Sequence, residues 1–464
     1  MEMKKHLFNI FFVCLLTLVL FSCRKDPANS DANPFVYNPD WTEASHGKAA
    51  PNYQTVFPQN KVNRLDIKIG SAEWNNINLN METICGIPFG AMVNGDGPST
   101  FADAEYVSSS VSFNGKKWKN VGFRLKGNKG LFYAWNKGIY KLPFRLNFDK
   151  FEDEFPGIIN QHFYGFEELS FSPGLNDPSL IREKLAADVF RNAGVPAAQT
   201  SFCRVFVDIG NGPKYWGLYC MLELPEDNMI RVQMGESNGN IYKPTSRLNF
   251  FDINEFEKKN NNLANDYSDI SQLIKLLNSP IRISNNTQWK ADLEKLLNID
   301  AFLQWLAVNN AIVNKNSYGN NDENYYLYNH STTGFNWIPW DNDETLNGNP
   351  GIVGVPGGGQ NGLSMSMNEV TANWPLIRYL MDNSSYNQTY KNKLRTFLNL
   401  QMESGELDRK IDAYHSLITP YVVGIDGEQP GYSYLNNSGE FVTERNNLHV
   451  HIQNRINVIN QFLP

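Results

Sequence analysis

In NRLDIKIG, Leu65, Ile67 and Ile69 alternate with polar positions, the period of a half-buried strand. Farther along, YVSSSVSF and KKWKNVGFRLKG flank Asn114-Gly115, the residue pair favoured in a two-residue hairpin turn, so two antiparallel strands are expected there. The second arm runs into Gly127-Asn128-Lys129-Gly130, which reads as a glycine-punctuated loop, and KLPFRLNF reads as a further strand. The period then changes. LNDPSLIREKLAADVFRNAG predicts a helix with Asp177 as its cap, Pro178 in its first turn and Gly194 just past its end. FCRVFVDIG and YWGLYCMLEL, split by a Gly/Asn/Pro turn, form a second β region.

From about residue 252 the apolar spacing becomes three and four, and SDISQLIKLLN and WKADLEKLLNIDAFLQWLAVNNAIV predict helices. The segment NYYLYN-HSTTG-FNWIPWD inserts a hairpin among them. WPLIRYLM, YKNKLRTFLNLQM and NNLHVHIQNRINVINQFL continue the helical half, and NGNPGIVGVPGGGQNG is expected to be a mobile loop. The predicted fold class is therefore α+β: a β-rich first half with one prominent helix, then a mainly helical half holding a hairpin. This order matches the bilobal layout of a protein kinase, with an N-lobe over 61–250 and a C-lobe over 251–464. Order alone does not fix function.

A length of 464 residues exceeds one ordinary core, which agrees with two lobes. The net charge of −7 gives no general basic face, so nucleic acid is not an expected partner. The N-terminus carries Lys4 and Lys5, then an apolar run ending Leu20-Phe21-Ser22-Cys23, the layout of a secretory leader. Its end resembles a bacterial lipobox, in which the cysteine is lipidated. Residues 1–23 are thus expected to be a lipoprotein signal with lipidated Cys23. The polar, Pro- and Asn-rich stretch 24–60 is expected to be a flexible tether. These features predict a lipid-anchored protein of the cell envelope, at the outer membrane and exposed on its surface. No later stretch is long and apolar enough to span a bilayer, so the lipid is the expected membrane contact.

Three cysteines follow the leader, Cys85, Cys203 and Cys220, with no CxxC, which indicates neither a disulfide framework nor a zinc site. Cys203 and Cys220 read either as a cross-hairpin pair or as buried free thiols. There is no HExxH, and His449 and His451 take packing or surface roles by default.

The apolar arm FNWIPW stops at Asp341 and Asp343 with one amide between. One reading is a strand followed by a solvated turn. The other is a metal site: residues two apart on a continuing strand share a face, and hard cations such as Mg²⁺ take carboxylate oxygens.

Longer strings narrow the choice. RLKGNKG (124–130), KLPFRLNF (141–148), FYGFEELSFSPGLNDPSLIREKLAADVFRNAGVPA (163–197), YWGLYCMLEL (215–224), NYYLYN (324–329) and FNWIPWDND (335–343) resemble, in this order, the CotH kinase family of spore-coat-protein-H-like atypical protein kinases. The similarity runs over residues 62–420. It implies a kinase-like fold, ATP and Mg²⁺ as cofactors, and transfer of phosphate to protein Ser/Thr. It also implies that Lys126, Gly127 and Asn128 hold phosphates, that Lys141 or Arg145 reaches the inner phosphates, and that Glu183 orients one of these cations. Glu223 is counted with the nucleotide contacts. Asp341 becomes the main metal ligand, Asp343 the second and Asn324 the amide partner.

One position departs from the family pattern. Where the family carries its catalytic Asp, in a stretch like N-W-D-S-Y, this chain reads VNKNSYGNN and has Asn316. A carboxamide takes up no proton at neutral pH, and loss of a general base costs roughly 10²–10⁴-fold in rate. Asp322 and Glu323 are the nearby substitutes, and the expected outcome is a weak or inactive phosphotransferase. The competing readings are a pseudokinase-type envelope lipoprotein that binds a ligand, glycan or partner protein, for which 10 Trp and 21 Tyr offer stacking surfaces, and a metal-dependent phosphoesterase built on the same acids.

Overall fold

The computed structural model describes residues 38–95, 97–98, 101–346 and 362–463. The leader with Cys23 and residues 347–361 of the Gly-rich stretch lie outside the described residues. Strand β1 (Asn63–Ile69) buries Leu65, Ile67 and Ile69, as its alternation predicts. β2 (Val107–Phe113) and β3 (Lys116–Leu125) pair around Asn114 and Gly115. Their φ values of 49° and 76° are the two left-handed conformations that a type I′ turn needs. With β4 (Phe144–Asn147), β5 (Glu168–Ser172), β6 (Thr200–Asp208) and β7 (Lys214–Leu222) these strands form a closed barrel in the order β1-β2-β3-β4-β5-β7-β6. The parallel pairing of β1 with β6 closes it. Aromatic rings fill the interior: Phe144 stacks on Phe171 at 4.4 Å and on Phe123 at 5.1 Å.

Helix α1 (Ser71–Cys85) was not expected; its apolar stripe is only Trp74, Ile77, Met81 and Cys85. Helix α2 (Lys129–Lys137) corrects the glycine-punctuated loop, since it takes in Gly130 and leaves Gly127, at φ 96°, and Asn128 as the turn. Helix α3 (Arg182–Asn192) starts later than predicted. Asp177 still caps it from a distance: its carboxylate accepts the N–H groups of Ser179 (2.9 Å) and Arg182 (2.8 Å). Gly194 follows its end with φ 77°.

Part of the expected tether is folded. His46, Val56 and Phe57 are buried, and the His46 ring stacks on Trp118 at 4.3 Å. A few anchors in a polar sequence suffice to dock it on the barrel. Cys85, Cys203 and Cys220 are buried free thiols. Cys203 faces Tyr219 in the register and Cys220 faces Phe202, so the two thiols are not cross-strand partners.

After α4 (Asp227–Met234), a second sheet has the order β11-β10-β8-β9, from β8 (Ile241–Pro244), β9 (Phe256–Lys258), β10 (Tyr325–His330) and β11 (Gly334–Pro339). The hairpin is therefore not isolated, and β8, placed in the first half by sequence, belongs with it. Around it lie α5 (Ser268–Leu277), α6 (Asn286–Leu296), α7 (Ile299–Ala311), α8 (Pro375–Met381), α9 (Ser384–Phe397), α10 (Glu406–Val422) and α11 (Ser438–Phe462). Every residue of β11 is buried. Trp337 packs on Trp305 of α7 at 4.7 Å, while Ile338 and Trp340 cluster with Cys220 and Leu222 of the barrel. Burial on both faces explains the unbroken apolar run.

Candidate metal and phosphate site

The site forms where β11 leaves its sheet and meets α3. β11 ends at Pro339, and Asp341 takes a left-handed turn with φ 57°. The chain is thus not a continuing strand at the acids, and the shared-face argument fails. The two carboxylates converge for another reason: the Asn342 N–H between them donates to Glu183 Oε2 at 3.0 Å. Carboxylate oxygens of Glu183, Asp341 and Asp343 all lie within 4.8 Å of one another.

The α3 charges show how unusual this is. Arg182 pairs with Asp177 and Glu444, and Lys184 lies 2.8 Å from Asp188, which also meets Arg191. Glu183, equally buried, has no cation within ion-pair distance among the described residues. Burial and then the neighbouring Asp341 push its carboxyl up to about 8, against the Asn342 N–H and the charge of Lys126. Asp343 is pushed well above the usual carboxylate range by burial, then by Asp341 and Glu183. Like charges held this close resist joint ionisation.

Lys126 directly follows β3, which ends at Leu125. Burial pulls its ammonium below the usual lysine range, opposed chiefly by Asp341 and then by Glu183 and Asp343; Arg145 adds to the lowering. Its backbone N–H donates to the Pro143 carbonyl at 3.1 Å, and its side chain makes no hydrogen bond or ion pair among the described residues. The charge of Lys126 is thus felt by Glu183 and the two strand-end acids.

The amide residues hold the turn. Asn324, at φ 68°, donates from Nδ2 to the Asn316 carbonyl at 3.0 Å and accepts the Trp340 N–H at 3.1 Å. Its Oδ1 is left without a partner among the described residues, suited to a hard cation. Asn316 donates its N–H to Asn314 Oδ1 at 3.3 Å, and Asn314 Nδ2 reaches Asn342 Oδ1 at 3.2 Å. Asn316 is thus wired to the acidic turn.

Other expected site residues lie elsewhere. Lys141 is fully buried and pairs with Glu428 at 2.5 Å, so it is not the partner of Glu183. Arg145 lies 3.3 Å from Glu168 and stands opposite Arg124 in the β3–β4 register. Glu223 accepts Tyr53 Oη–H at 2.5 Å and the Gln199 N–H at 3.1 Å, and burial lifts its carboxyl to about 7. Asp322 sits 3.3 Å from Arg247. Gly127 and Asn128 precede α2 beside Lys126. Glu183, expected to orient a cation, joins the acids instead. Arg124 was not singled out by the sequence reading, and the register places it opposite Arg145.

The profile described as CotH kinase protein matches residues 123–459. Inner spore coat protein H of Bacillus subtilis (strain 168) is 26% identical over 276 residues, 56% of this chain and 70% of that protein. Two solved structures give distant likenesses. A complex of the Shewanella oneidensis MR-1 toxin–antitoxin proteins HipA and HipB with operator DNA is 12% identical at a TM-score of 0.30, covering 64% of this chain and 61% of that one. The Helicobacter pylori proinflammatory kinase CtkA is 10% identical at a TM-score of 0.29, covering 79% and 94%. Scores that low carry no argument.

Proposed function

The chain belongs to the CotH kinase family, and from that premise we propose that it is a bilobal, kinase-like protein that binds ATP with Mg²⁺ between the barrel and the hairpin sheet and slowly transfers phosphate to protein Ser/Thr. The observation that carries this is the three carboxylates within 4.8 Å of one another, with the charge of Lys126, which has no ion-pair partner among the described residues, acting on them. Three acids so placed repel unless protons or a cation intervene, and oxygen donors of this kind suit a hard divalent ion. Asp341, Asp343 and Glu183 would hold it, and Asn324 remains the amide candidate of the same turn. Such an ion supplies charge neutralisation for transferring phosphates. Lys126 offers a point charge to phosphate oxygens.

Slow transfer follows from Asn316. It takes no proton, and Asp322, one of the two nearby acids, is engaged by Arg247 at 3.3 Å. Phosphoryl transfer draws mainly on positioning and electrostatics, so activity is reduced rather than abolished. The asparagine lattice around Asn316 favours a second reading, a pseudokinase that binds nucleotide and a partner without turnover. Calorimetry with a non-hydrolysable ATP analogue, with and without Mg²⁺, tests the shared premise; lack of any Mg²⁺-dependent binding would overturn both. We further propose anchoring at the cell envelope through lipidated Cys23. Incorporation of labelled fatty acid that Cys23→Ala abolishes is the expected result.

A further inference from the structure

Arg124 and Arg145 are direct Cα partners on β3 and β4, so two guanidinium groups stand side by side on the outer barrel face. Lys126 follows the end of β3, and Arg145 adds to the lowering of its ammonium. Like charges placed opposite one another across strands destabilise a sheet unless an anion intervenes. Arg145 has Glu168, but that carboxylate also accepts Tyr106 Oη–H at 3.0 Å and Asn147 Nδ2 at 2.9 Å. The Nε groups of both arginines are buried with no partner in the described structure.

The counter-ion of Arg124 comes from outside the sheet. Asp103, on the segment leading into β2, places Oδ1 2.8 Å from Arg124 Nη1. The arginine side chain is 11% exposed and the aspartate side chain 86%. Arg145 and Lys243 add to the positive field at Asp103. A buried, multiply cationic seat thus holds a carboxylate that reaches in from solvent.

We infer that Arg124 and Arg145 form an oxyanion subsite beside the proposed nucleotide cleft, taking a phosphate or carboxylate group, and that Asp103 holds that subsite in this structure. The inference rests on the proposed cleft only for its place in the reaction; the subsite itself stands on the arginine pair. Its ligand is either a phosphate of the nucleotide or an acidic group of the acceptor, and both present the same planar or tetrahedral oxygens to a guanidinium fork.

The test is calorimetric titration of inorganic phosphate, and separately of ADP with Mg²⁺, into the full chain. Asp103→Asn removes the competing carboxylate at an exposed position, and phosphate should bind about tenfold tighter. Adding Arg124→Gln should cancel that gain, while Arg124→Lys should keep part of it. Equal phosphate affinity in the parent and Asp103→Asn overturns the subsite. If Asp103→Asn also tightens ADP, the oxyanion belongs to the nucleotide; if it tightens phosphate alone, it belongs to the acceptor. Both results uphold the subsite. Failure of the cleft reading is separable, because it appears as absent ADP binding in the parent whatever phosphate does.

Discussion

The backbone N–H of Asn342 donates to Glu183 Oε2 at 3.0 Å, fastening the strand-end turn of the hairpin to the helix that lies against the barrel. This bond sets the position of three acids at once, since Asp341 and Asp343 flank the donor. It also explains why Glu183 has no lysine partner: its carboxylate is oriented by backbone and surrounded by like charge. The arrangement is costly to the fold and useful only if something positive enters it.

Asp341→Asn should therefore stabilise the protein without divalent ions while removing its response to them. Asn adopts the left-handed turn at φ 57° readily, so the backbone is not strained. Relief of repulsion is expected to add about 1 kcal/mol. In thermal unfolding, Mg²⁺ should raise the melting temperature of the parent but not of the variant. A variant that still responds fully to Mg²⁺ would move the ion elsewhere.

Glu223 gives a pH signature away from the acids. Its carboxyl stands at about 7 against an ordinary 4.5, because it is buried beneath Tyr53. Between these values the folded protein holds a proton that the unfolded chain has released, so stability falls as pH rises through that window and levels off above it. Glu223→Gln can keep both neighbours, accepting from Gln199 and donating to Tyr53. Urea unfolding should show the variant gaining on the parent from pH 4.5 to pH 8, by on the order of 2 kcal/mol. A difference that does not change with pH would mean the carboxyl is ionised throughout.

The fold was legible where one residue type dictates a backbone state or a period dictates a face. Asn114-Gly115 is such a case, as is the alternation of β1. Helix α2 was hidden because Gly127 and Gly130 look alike in sequence, yet only Gly127 needs a positive φ. The acids at 341 and 343 were legible as a candidate site, but their convergence was not, because it depends on a turn and on a hydrogen bond that the turn donates to a helix more than 150 residues away. The anchors at His46, Val56 and Phe57 were masked by polar neighbours.

Lys141 looks like a phosphate ligand in sequence and behaves as a structural cation in the fold. Its ammonium and Glu428 are both fully enclosed at 2.5 Å, and Glu428 also accepts the Leu218 N–H at 2.8 Å. Lys141→Met leaves a buried carboxylate unpaired and should cost roughly 3–5 kcal/mol in chemical unfolding. Pairing it with Glu428→Gln should recover much of that loss, since the amide oxygen still accepts from Leu218. ADP affinity of the double variant should match the parent, and a large loss would return Lys141 to the phosphate site.

Asn316→Asp bears most directly on activity. Asn316 Oδ1 accepts Asn321 Nδ2 at 2.7 Å, and its Nδ2 donates to no described residue. A carboxylate keeps the accepted bond and loses none, so the turn should hold its shape. The change supplies the missing proton acceptor at a residue already linked through Asn314 to the acidic turn. If the absent base limits the rate, transfer of labelled phosphate from ATP to protein Ser/Thr should rise roughly 10²–10⁴-fold. Nucleotide affinity should change little, because the altered group meets the acceptor rather than the phosphates. Adding Asp341→Asn should remove the gained activity. A variant that binds ATP as the parent does and still transfers nothing would assign the protein to the pseudokinase reading, with the asparagine lattice serving to hold a bound nucleotide for recognition rather than turnover.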